Sequence, residues 1–325
     1  MPASNRQGRI LVIKLGALGD FIYAVGPMQA IRRHHAEAEI TLLTRPAYAE
    51  LGEQTGLFDA VWTDSEPKLW NLPGLLALRA QLVGGGFDRI YDLQTSDRTG
   101  FYYRLFWPGK APEWSGIVPG CSHYHNYKRP TLTHTQDRQR TQLEIAGITD
   151  VRPSDLSFMQ SDIARFRLPE AFALLIPGSS RKMAVKRWPA EQYGAVANSL
   201  ASEDIAPVLI GGPEDASAIA TILELCPSAQ DLSGQTTLHD IPALARAARL
   251  AIGNDTGPMH MAALAGCPTI AIFSTASFPE KAAPRGENVR LLVSENLAEL
   301  PVSSVRDAAT ALLDSRPDGP SYGRR

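Results

Sequence analysis

The sequence is poor in cysteine and has no marked excess of either charge. Its three cysteines, Cys121, Cys226 and Cys267, are far apart and form no C-x-x-C pair, which argues against both a disulfide framework and a zinc site. Lys and Arg number 32 against 34 Asp and Glu, for a formal net charge of −2. Because such a chain has no overall field to attract a polyanion, we expect no nucleic-acid partner.

Long apolar runs are also missing. No stretch approaches the roughly 18 apolar residues that a membrane-spanning helix needs. The polar residues Met1 to Arg9 lead directly into a short strand-like run, without the pattern of a signal peptide. Together with the unpaired cysteines, these features predict a cytoplasmic protein that would contact a membrane only at its surface.

Two common nucleotide-binding motifs are absent. The loop from Gly16 through Gly19 to Asp20 lacks the third glycine of G-x-G-x-x-G, and G-x-x-x-x-G-K-[ST] occurs nowhere. The first absence disfavours a nicotinamide oxidoreductase, and the second disfavours a P-loop enzyme.

What the chain does contain is two series of short apolar runs, each followed by a glycine-containing loop and a helical pattern. The runs start at Arg9, Glu39 and Phe87 in the first half, and at Phe172, Ala206, Leu250 and Pro268 in the second. This alternation is typical of parallel sheets covered by helices. The fold class is therefore predicted to be α/β, with two Rossmann-like, doubly wound domains whose ligand lies in the cleft between them, at the carboxyl ends of the strands.

The mixed, proline-containing segment from Ala146 to Pro169 is predicted to link the two domains. We accordingly expect a first domain over residues 1–160 and a second over 161–302. The last helix, over 303–314, is expected to pack back on the first domain, and the polar tail 316–325 is expected to be disordered.

The sharpest local signal is Asn254-Asp-Thr-Gly-Pro-Met-His260, between a strand and a helix that can begin at Pro258. Backbone amides and the helix dipole there suit a diphosphate, Gly257 permits close approach, and Thr256 adds a hydroxyl donor. The alternative is that Asp255 or Thr256 only caps the helix. His260 is equally consistent with an ordinary packed histidine.

Two further loops in the second half suit a nucleotide. Ser179 and Ser180 end a strand and are followed by cations, including Lys186, that can neutralise a leaving diphosphate. A solvated basic loop is the alternative. Glu214 follows the next strand and can accept hydrogen bonds from a ribose diol, although its Gly-Gly-Pro-Glu sequence is also a common turn.

In the first half, Asp20 stands at a loop-to-helix junction, where it is either a helix cap or a general base facing the predicted cleft. A stretch of cations and aromatics from residue 97 to 140 is suited to an anionic sugar or a phosphate headgroup, or is an ordinary solvated surface. We select four of its cations as candidate acceptor-binding residues: Arg98, Arg104, Lys128 and Arg129.

Taken together, these motifs resemble glycosyltransferase family 9, the bacterial heptosyltransferases of lipopolysaccharide core synthesis. The resemblance covers most of the chain. It rests on the ordered set of the segments 10–20, 92–94, 177–180, 186–189, 211–214, 232–236 and 254–260.

The resemblance implies a GT-B fold and an inverting transfer of heptose from an ADP-heptose-like donor to an anionic glycolipid acceptor. It implies that Asp20 is the general base and that Lys186 contacts the donor phosphates. Glu214 then lies near the ribose, while Asp255, Thr256, Gly257 and His260 form the donor loop. No Asp-x-Asp motif is present, in agreement with a family that uses neither a metal ion nor another cofactor. Peripheral contact with the cytoplasmic face of the inner membrane is expected for such an acceptor.

Three alternatives stay open at this point. A family member can use a different nucleotide sugar. A non-catalytic nucleotide-sugar binding protein would keep the loops of the second half without needing Asp20. A nicotinamide oxidoreductase is the third, and the missing glycine fingerprint disfavours it.

Overall fold

The computed structural model describes residues 8–126, 133–179 and 187–315. The chain forms two compact units that divide between Phe158 and Met159, close to the boundary expected at 160. The predicted disordered tail, 316–325, lies outside the described residues.

The first unit is built around one parallel sheet. Its strands are β1 Arg9–Ile13, β2 Glu39–Thr44, β3 Ala60–Thr63, β4 Arg89–Asp92, β5 Glu113–Gly116 and β6 His123–Tyr124. They pair in the order β3-β2-β1-β4-β5-β6. The helices are α1 Leu18–His34, α2 Ala49–Gln54, α3 Leu72–Gly84, α4 Asp97–Arg104 and α5 Thr135–Ile145.

The second unit repeats this plan. Its strands are β7 Phe172–Ile176, β8 Ala206–Leu209, β9 Gln230–Asp231, β10 Leu250–Asn254, β11 Thr269–Ser274 and β12 Val289–Ser294. They are parallel and pair in the order β12-β11-β10-β7-β8-β9. The helices are α6 Ala190–Ser202, α7 Ala216–Leu225, α8 Asp240–Ala247, α9 Gly257–Leu264, α10 Pro279–Ala282 and α11 Val302–Asp314.

The central strands are mostly apolar and buried along almost their whole length, because both faces of each sheet are covered. Every residue of β7, β10 and β11 is buried. A half-solvated sheet would instead show alternating polar residues. The predicted α/β class, with two Rossmann-like units, is confirmed. Within the described ranges no helix is both long and apolar enough to cross a membrane.

The last helix does not pack where we expected it. The buried residues of α11, Val305, Ala309 and Leu312, belong to the same core as Ile252 and Ile270 of the second sheet. Their i, i+4, i+7 spacing forms one apolar stripe, which this sheet face covers. The expectation that α11 returns to the first domain is therefore wrong.

A proline inside α1 explains how the end of the first unit is attached to this helix. Pro27 has no N–H, so the carbonyl of Tyr23 loses its usual helical donor. The hydroxyl of Ser154 donates to that carbonyl at 3.1 Å and accepts from the N–H of Gly26 at 2.9 Å. A Cβ at Gly26 would lie 2.4 Å from the carbonyl oxygen of Arg152. Glycine therefore permits the close approach of segment 152–154.

Gly26→Ala should lower the free energy of unfolding by about 1–3 kcal/mol, since the new methyl group must displace a backbone carbonyl. Gly84→Ala is the matched control, because no atom lies within 4 Å of its added Cβ. It should be neutral or stabilising by up to about 1 kcal/mol. Denaturant unfolding of both variants measures the difference, and equal stabilities would contradict the packing described here.

Candidate functional site

Each sheet reverses its strand order at one point, and the candidate residues follow the strands on either side of it. In the first unit the reversal lies between β1 and β4, and in the second between β7 and β10. Helices leave these neighbouring strands toward opposite faces, which opens a crevice at the carboxyl ends. Asp20 follows β1, and the segment 254–260 follows β10.

Asp20 lines a small cavity in the first unit. It lies in the first turn of α1, whose N-cap position is Ala17, so it is not the helix cap that the sequence left open. The cavity is lined by Lys14, Asp20, Leu93, Gln94, Thr95, Ile117, His125, Thr135, Arg138, Gln139 and Gln142. Most of these side chains are polar, which suits a hydrophilic ligand.

The glycine of the loop before α1 is required by its backbone and by a neighbouring ring. Gly16 has φ +115°, and an added Cβ would lie 2.4 Å from the ring of Tyr48. Tyr48 in turn stacks on Phe21 of α1, with ring centroids 5.6 Å apart. These contacts fix the start of α1, and with it the position of Asp20.

A buried lysine and a buried aspartate lie beside this cavity. Lys14 donates to the carbonyl of Leu93 at 3.3 Å. Burial lowers the pKa of Lys14, while the carboxylates of Asp20 and Asp92 oppose that shift. Burial raises the pKa of Asp92 to about 6, against the backbone hydrogen bonds it accepts from Thr95 and Gln94. Lys14 therefore interacts electrostatically with both carboxylates.

Two glutamines that line the cavity make hydrogen bonds within the fold. The amide nitrogen of Gln142 donates to the carbonyls of Asp92 at 2.9 Å and Ser115 at 3.1 Å. The side-chain oxygen of Gln94 accepts from the N–H of Leu15 at 3.0 Å. These bonds join β1, β4, β5 and α5 around the cavity.

Gln139 differs from both. Its side chain is 4% exposed, and neither its amide nitrogen nor its amide oxygen has a hydrogen-bond partner within the described residues. A buried amide without partners is costly, so a ligand in the cavity is the simplest way to satisfy it.

Sequence reasoning missed Gln139 because a glutamine in a helix matches no motif. A signal was nevertheless present: the buried face of α5 includes Thr135, Gln139 and Gln142, a polar stripe at i, i+4, i+7. Helices of this class usually bury an apolar stripe. A polar one therefore points to a site.

The two described acceptor candidates do not line the Asp20 cavity. Arg98 donates to the carbonyl of Glu66 at 3.1 Å and to the hydroxyl of Tyr102 at 3.3 Å, so its guanidinium holds the segment before α3 in place. Arg104 is exposed at the end of α4. Lys128 and Arg129 lie outside the described residues.

In the second unit, Asn254 holds two loops beside each other. Its amide nitrogen donates to the carbonyl of Pro177 at 2.7 Å, and its amide oxygen accepts from the N–H of Trp188 at 3.1 Å. Asn254 is completely buried at the end of β10. One side chain thereby fixes both ends of the loop that follows β7.

Ser179 lies in this loop, next to a partly buried ion pair. Arg187 donates to the carbonyl of Ser179 at 2.9 Å and to the carboxylate of Asp215 at 3.2 Å. Gly178 is required, since an added Cβ would lie 2.3 Å from that carboxylate. The buried hydroxyl of Ser179 has no partner among the described residues. Ser180 and Lys186 lie outside them.

The start of α9 is available to a ligand. Thr256 occupies the N-cap position in an extended conformation, and its side chain makes no capping hydrogen bond. The side chain of Thr256 therefore does not play the capping role considered above, and the first-turn amides receive no hydrogen bond from it. Asp255, Thr256 and Gly257 are half-buried.

The remaining donor candidates differ in exposure. His260 is buried in α9, as a packed histidine would be, and Glu214 is exposed after β8. The described residues contain no group of three or more His, Cys, Asp or Glu side chains placed to hold a metal ion.

Replacing Gln139 should affect stability in the opposite direction to replacing Gln142. Gln139→Met removes an unsatisfied buried amide of similar size, so the ligand-free protein should be unchanged or stabilised by up to about 2 kcal/mol. Gln142→Met removes two made bonds and leaves two carbonyls unpaired, at a cost of about 1–3 kcal/mol. Thermal and denaturant unfolding measure both. Equal destabilisation by the two changes would show that Gln139 has a structural role only.

Comparisons with known proteins agree with this geometry. The profile of glycosyltransferase family 9 (heptosyltransferase) matches residues 128–310. The lipopolysaccharide core heptosyltransferase OpsX of Haemophilus influenzae is 25% identical over 304 residues, which cover 88% of this chain and 85% of the relative.

Solved structures share the fold. A glycosyl transferase family 9 protein from Veillonella parvula superposes with a TM-score of 0.81 at 22% identity, covering 97% of this chain and 99% of the other. E. coli heptosyltransferase WaaC, solved with ADP-2-deoxy-2-fluoro heptose, superposes with a TM-score of 0.71 at 17% identity, covering 93% and 99%. Two Rossmann-like units of this kind are the GT-B fold. With the family profile matched over more than half of its length, the chain is a glycosyltransferase and belongs to glycosyltransferase family 9.

Proposed function

We propose that this protein transfers a heptose from ADP-heptose to an anionic, lipopolysaccharide core type acceptor, with inversion and without a metal ion. The observation that carries the proposal is the presence of Asp20 in a polar cavity at the switch point of the first sheet. A relative matched over most of its length is named as a lipopolysaccharide core heptosyltransferase. A structural neighbour was solved with an ADP-heptose analogue.

The second unit, over about residues 161–302, is assigned to the donor. The amides at Thr256 and Gly257 bind the diphosphate, because the helix start there has no side-chain cap. The hydroxyl of Ser179, which has no partner among the described residues, adds a donor group from the neighbouring loop. Glu214 is assigned to the ribose only because it matches the family's residue at this position in the sequence.

The other donor residues are assigned on the family match as well. Asp255 and His260 complete the donor loop. Ser180 and Lys186 extend the phosphate site, and Lys186 stabilises the leaving diphosphate. This assignment follows from their positions in the sequence, since both residues lie outside the described ranges.

The first unit, over about residues 1–160, is assigned to the acceptor. The acceptor hydroxyl oxygen attacks the anomeric carbon of the heptose, the bond from that carbon to the phosphate oxygen breaks, and ADP leaves. Asp20 takes the hydroxyl proton. Lys14 lines the same cavity as Asp20. Displacement from the face opposite the leaving group inverts the anomeric configuration.

The acceptor itself is expected to contact Gln139, whose amide can pair with sugar hydroxyls as both donor and acceptor. The exposed Arg104 suits an anionic group of the same ligand. Lys128 and Arg129 keep their proposed role as acceptor cations. Arg98 is proposed to support this region through its bonds to Glu66 and Tyr102.

The purified protein should transfer heptose from ADP-heptose to a heptose-deficient core glycolipid, and excess EDTA should leave the rate unchanged. The reason is that cations and helix amides replace the divalent ion in stabilising the leaving group. NMR of the product should show the inverted anomeric configuration. No transfer from a panel of ADP-sugars would reject the proposed function. A reversible requirement for magnesium or manganese would reject only the metal-independent mechanism.

Asp20→Ala should abolish transfer while changing the affinity for ADP by less than about threefold, or roughly 0.7 kcal/mol. The physical reason is that Asp20 and the diphosphate loops belong to different units. Calorimetry with ADP measures binding, and a coupled assay measures transfer. Glu50→Ala, which removes an exposed carboxylate from the first turn of α2, is the control and should keep both properties. Loss of ADP binding in Asp20→Ala would make Asp20 a donor ligand instead of a base.

A further inference from the structure

The helix α3 is apolar on two sides, although only one of them packs against the sheet. Leu78 and Leu82 are buried in the core of the first unit. Leu72 and Leu76 face solvent and are 66% and 64% exposed. A helix that is apolar all round is normally covered on all sides. The outer side of α3 therefore requires a partner.

Other large apolar side chains extend this outer side. Leu69 is 68% exposed, and Trp70 and Trp107 are each 79% exposed. The guanidinium of Arg79, on α3, donates to the carbonyl of Trp107 at 3.2 Å, which joins the two segments. We call the exposed residues Leu69, Trp70, Leu72, Leu76 and Trp107 the α3 apolar surface. Among the large apolar side chains of the described residues, these five are the most exposed.

The two sequence stretches that carry the α3 apolar surface contain basic residues and no acidic ones. No acidic residue occurs from Pro67 to Phe87, where Lys68 and Arg79 are the charged side chains. The ammonium of Lys68 lies 5.1 Å from the ring centre of Trp70. From Arg98 to Pro112 there is again no acidic residue, whereas Arg98, Arg104 and Lys110 are present. Glu66, Asp88, Asp97 and Glu113 lie directly outside these stretches, and of these Asp88, Asp97 and Glu113 are exposed.

We infer that the α3 apolar surface docks on the anionic phospholipid surface of a membrane. Exposed leucines and tryptophans enter the boundary between headgroups and acyl chains, where the indole ring is favoured. Lys68, Arg104 and Lys110 then meet the anionic headgroups, each cation adding attraction within about one Debye length of the surface. A second copy of the chain fits less well, because a two-fold interface would bring these cations together.

Two grooves share lining residues with the Asp20 cavity or with this surface. Ile117 lines both that cavity and a neighbouring groove of about 330 Å³, which Arg104 also lines. Arg104 lines in addition the groove beside Trp107. A glycolipid with its acyl chains in the bilayer could therefore present its sugar toward Asp20. This last step rests on the proposed function, whereas binding to a bilayer does not.

The test is flotation of the full chain with vesicles, in the absence of donor and acceptor. The wild-type protein should bind vesicles containing phosphatidylglycerol at least tenfold better than vesicles of pure phosphatidylcholine, with binding that weakens as salt rises. Leu72→Gln with Leu76→Gln should lower binding at least tenfold. Arg104→Gln with Lys110→Gln should remove most of the preference for anionic lipid.

The matched control is Leu291→Gln with Val293→Gln, which changes two exposed apolar residues of β12 in the second unit and should keep wild-type binding. Thermal unfolding of each variant confirms that it is folded. Equal binding by the wild type and the α3 variant would overturn the inference. A wild-type dimer that the α3 variant dissociates, with no vesicle binding, would assign the surface to a second copy.

Failure of this inference can be told apart from failure of the proposed function. If vesicle binding is absent but heptose is transferred to a deacylated, water-soluble acceptor, only the docking surface is rejected. If vesicles bind as expected but no ADP-sugar supports transfer, only the proposed function is rejected.

Discussion

Hydrogen bonding between parallel strands is the constraint from which both candidate sites follow. A parallel pair needs a crossover helix, and helices on both faces bury the strands completely. The strand ends are then the places where polar groups can reach a ligand. Where the strand order reverses, between β1 and β4 and between β7 and β10, the covering helices separate. Asp20 and the start of α9 lie at these two positions.

The same fold decides which buried polar groups are available. The side-chain amides of Asn254 and Gln142 donate hydrogen bonds to backbone carbonyls and so hold neighbouring loops and strands together. Gln139 and the hydroxyl of Ser179 are as deeply buried but lack such partners in the described chain. An unsatisfied buried polar group lowers stability. Folding therefore does not explain why these two residues are polar, and binding of a ligand would.

The α3 apolar surface and the cavity of Asp20 both place side chains of the first unit in an unfavourable environment. The cavity keeps polar groups away from water, and the α3 apolar surface keeps leucine and tryptophan in contact with it. Each arrangement is unfavourable in the isolated protein. A lipid-linked sugar at a membrane would relieve both, since its headgroup is hydrophilic and the bilayer boundary accepts the apolar side chains.

The sequence by itself determined the class of fold and the positions of most central strands. Continuous apolar runs such as Phe172–Ile176 are typical of covered strands, and the glycines after them mark the candidate loops. Edge strands such as His123–Tyr124 and Gln230–Asp231 were missed because two residues carry no periodic pattern. The packing of α11 was also beyond the sequence, since an apolar stripe shows that a helix is covered but not by which sheet. Only the tertiary structure showed that Arg98 is bonded internally and that Gln139 has no partner among the described residues. Both properties depend on which groups lie within hydrogen-bonding distance, and residues far apart in the chain supply those groups.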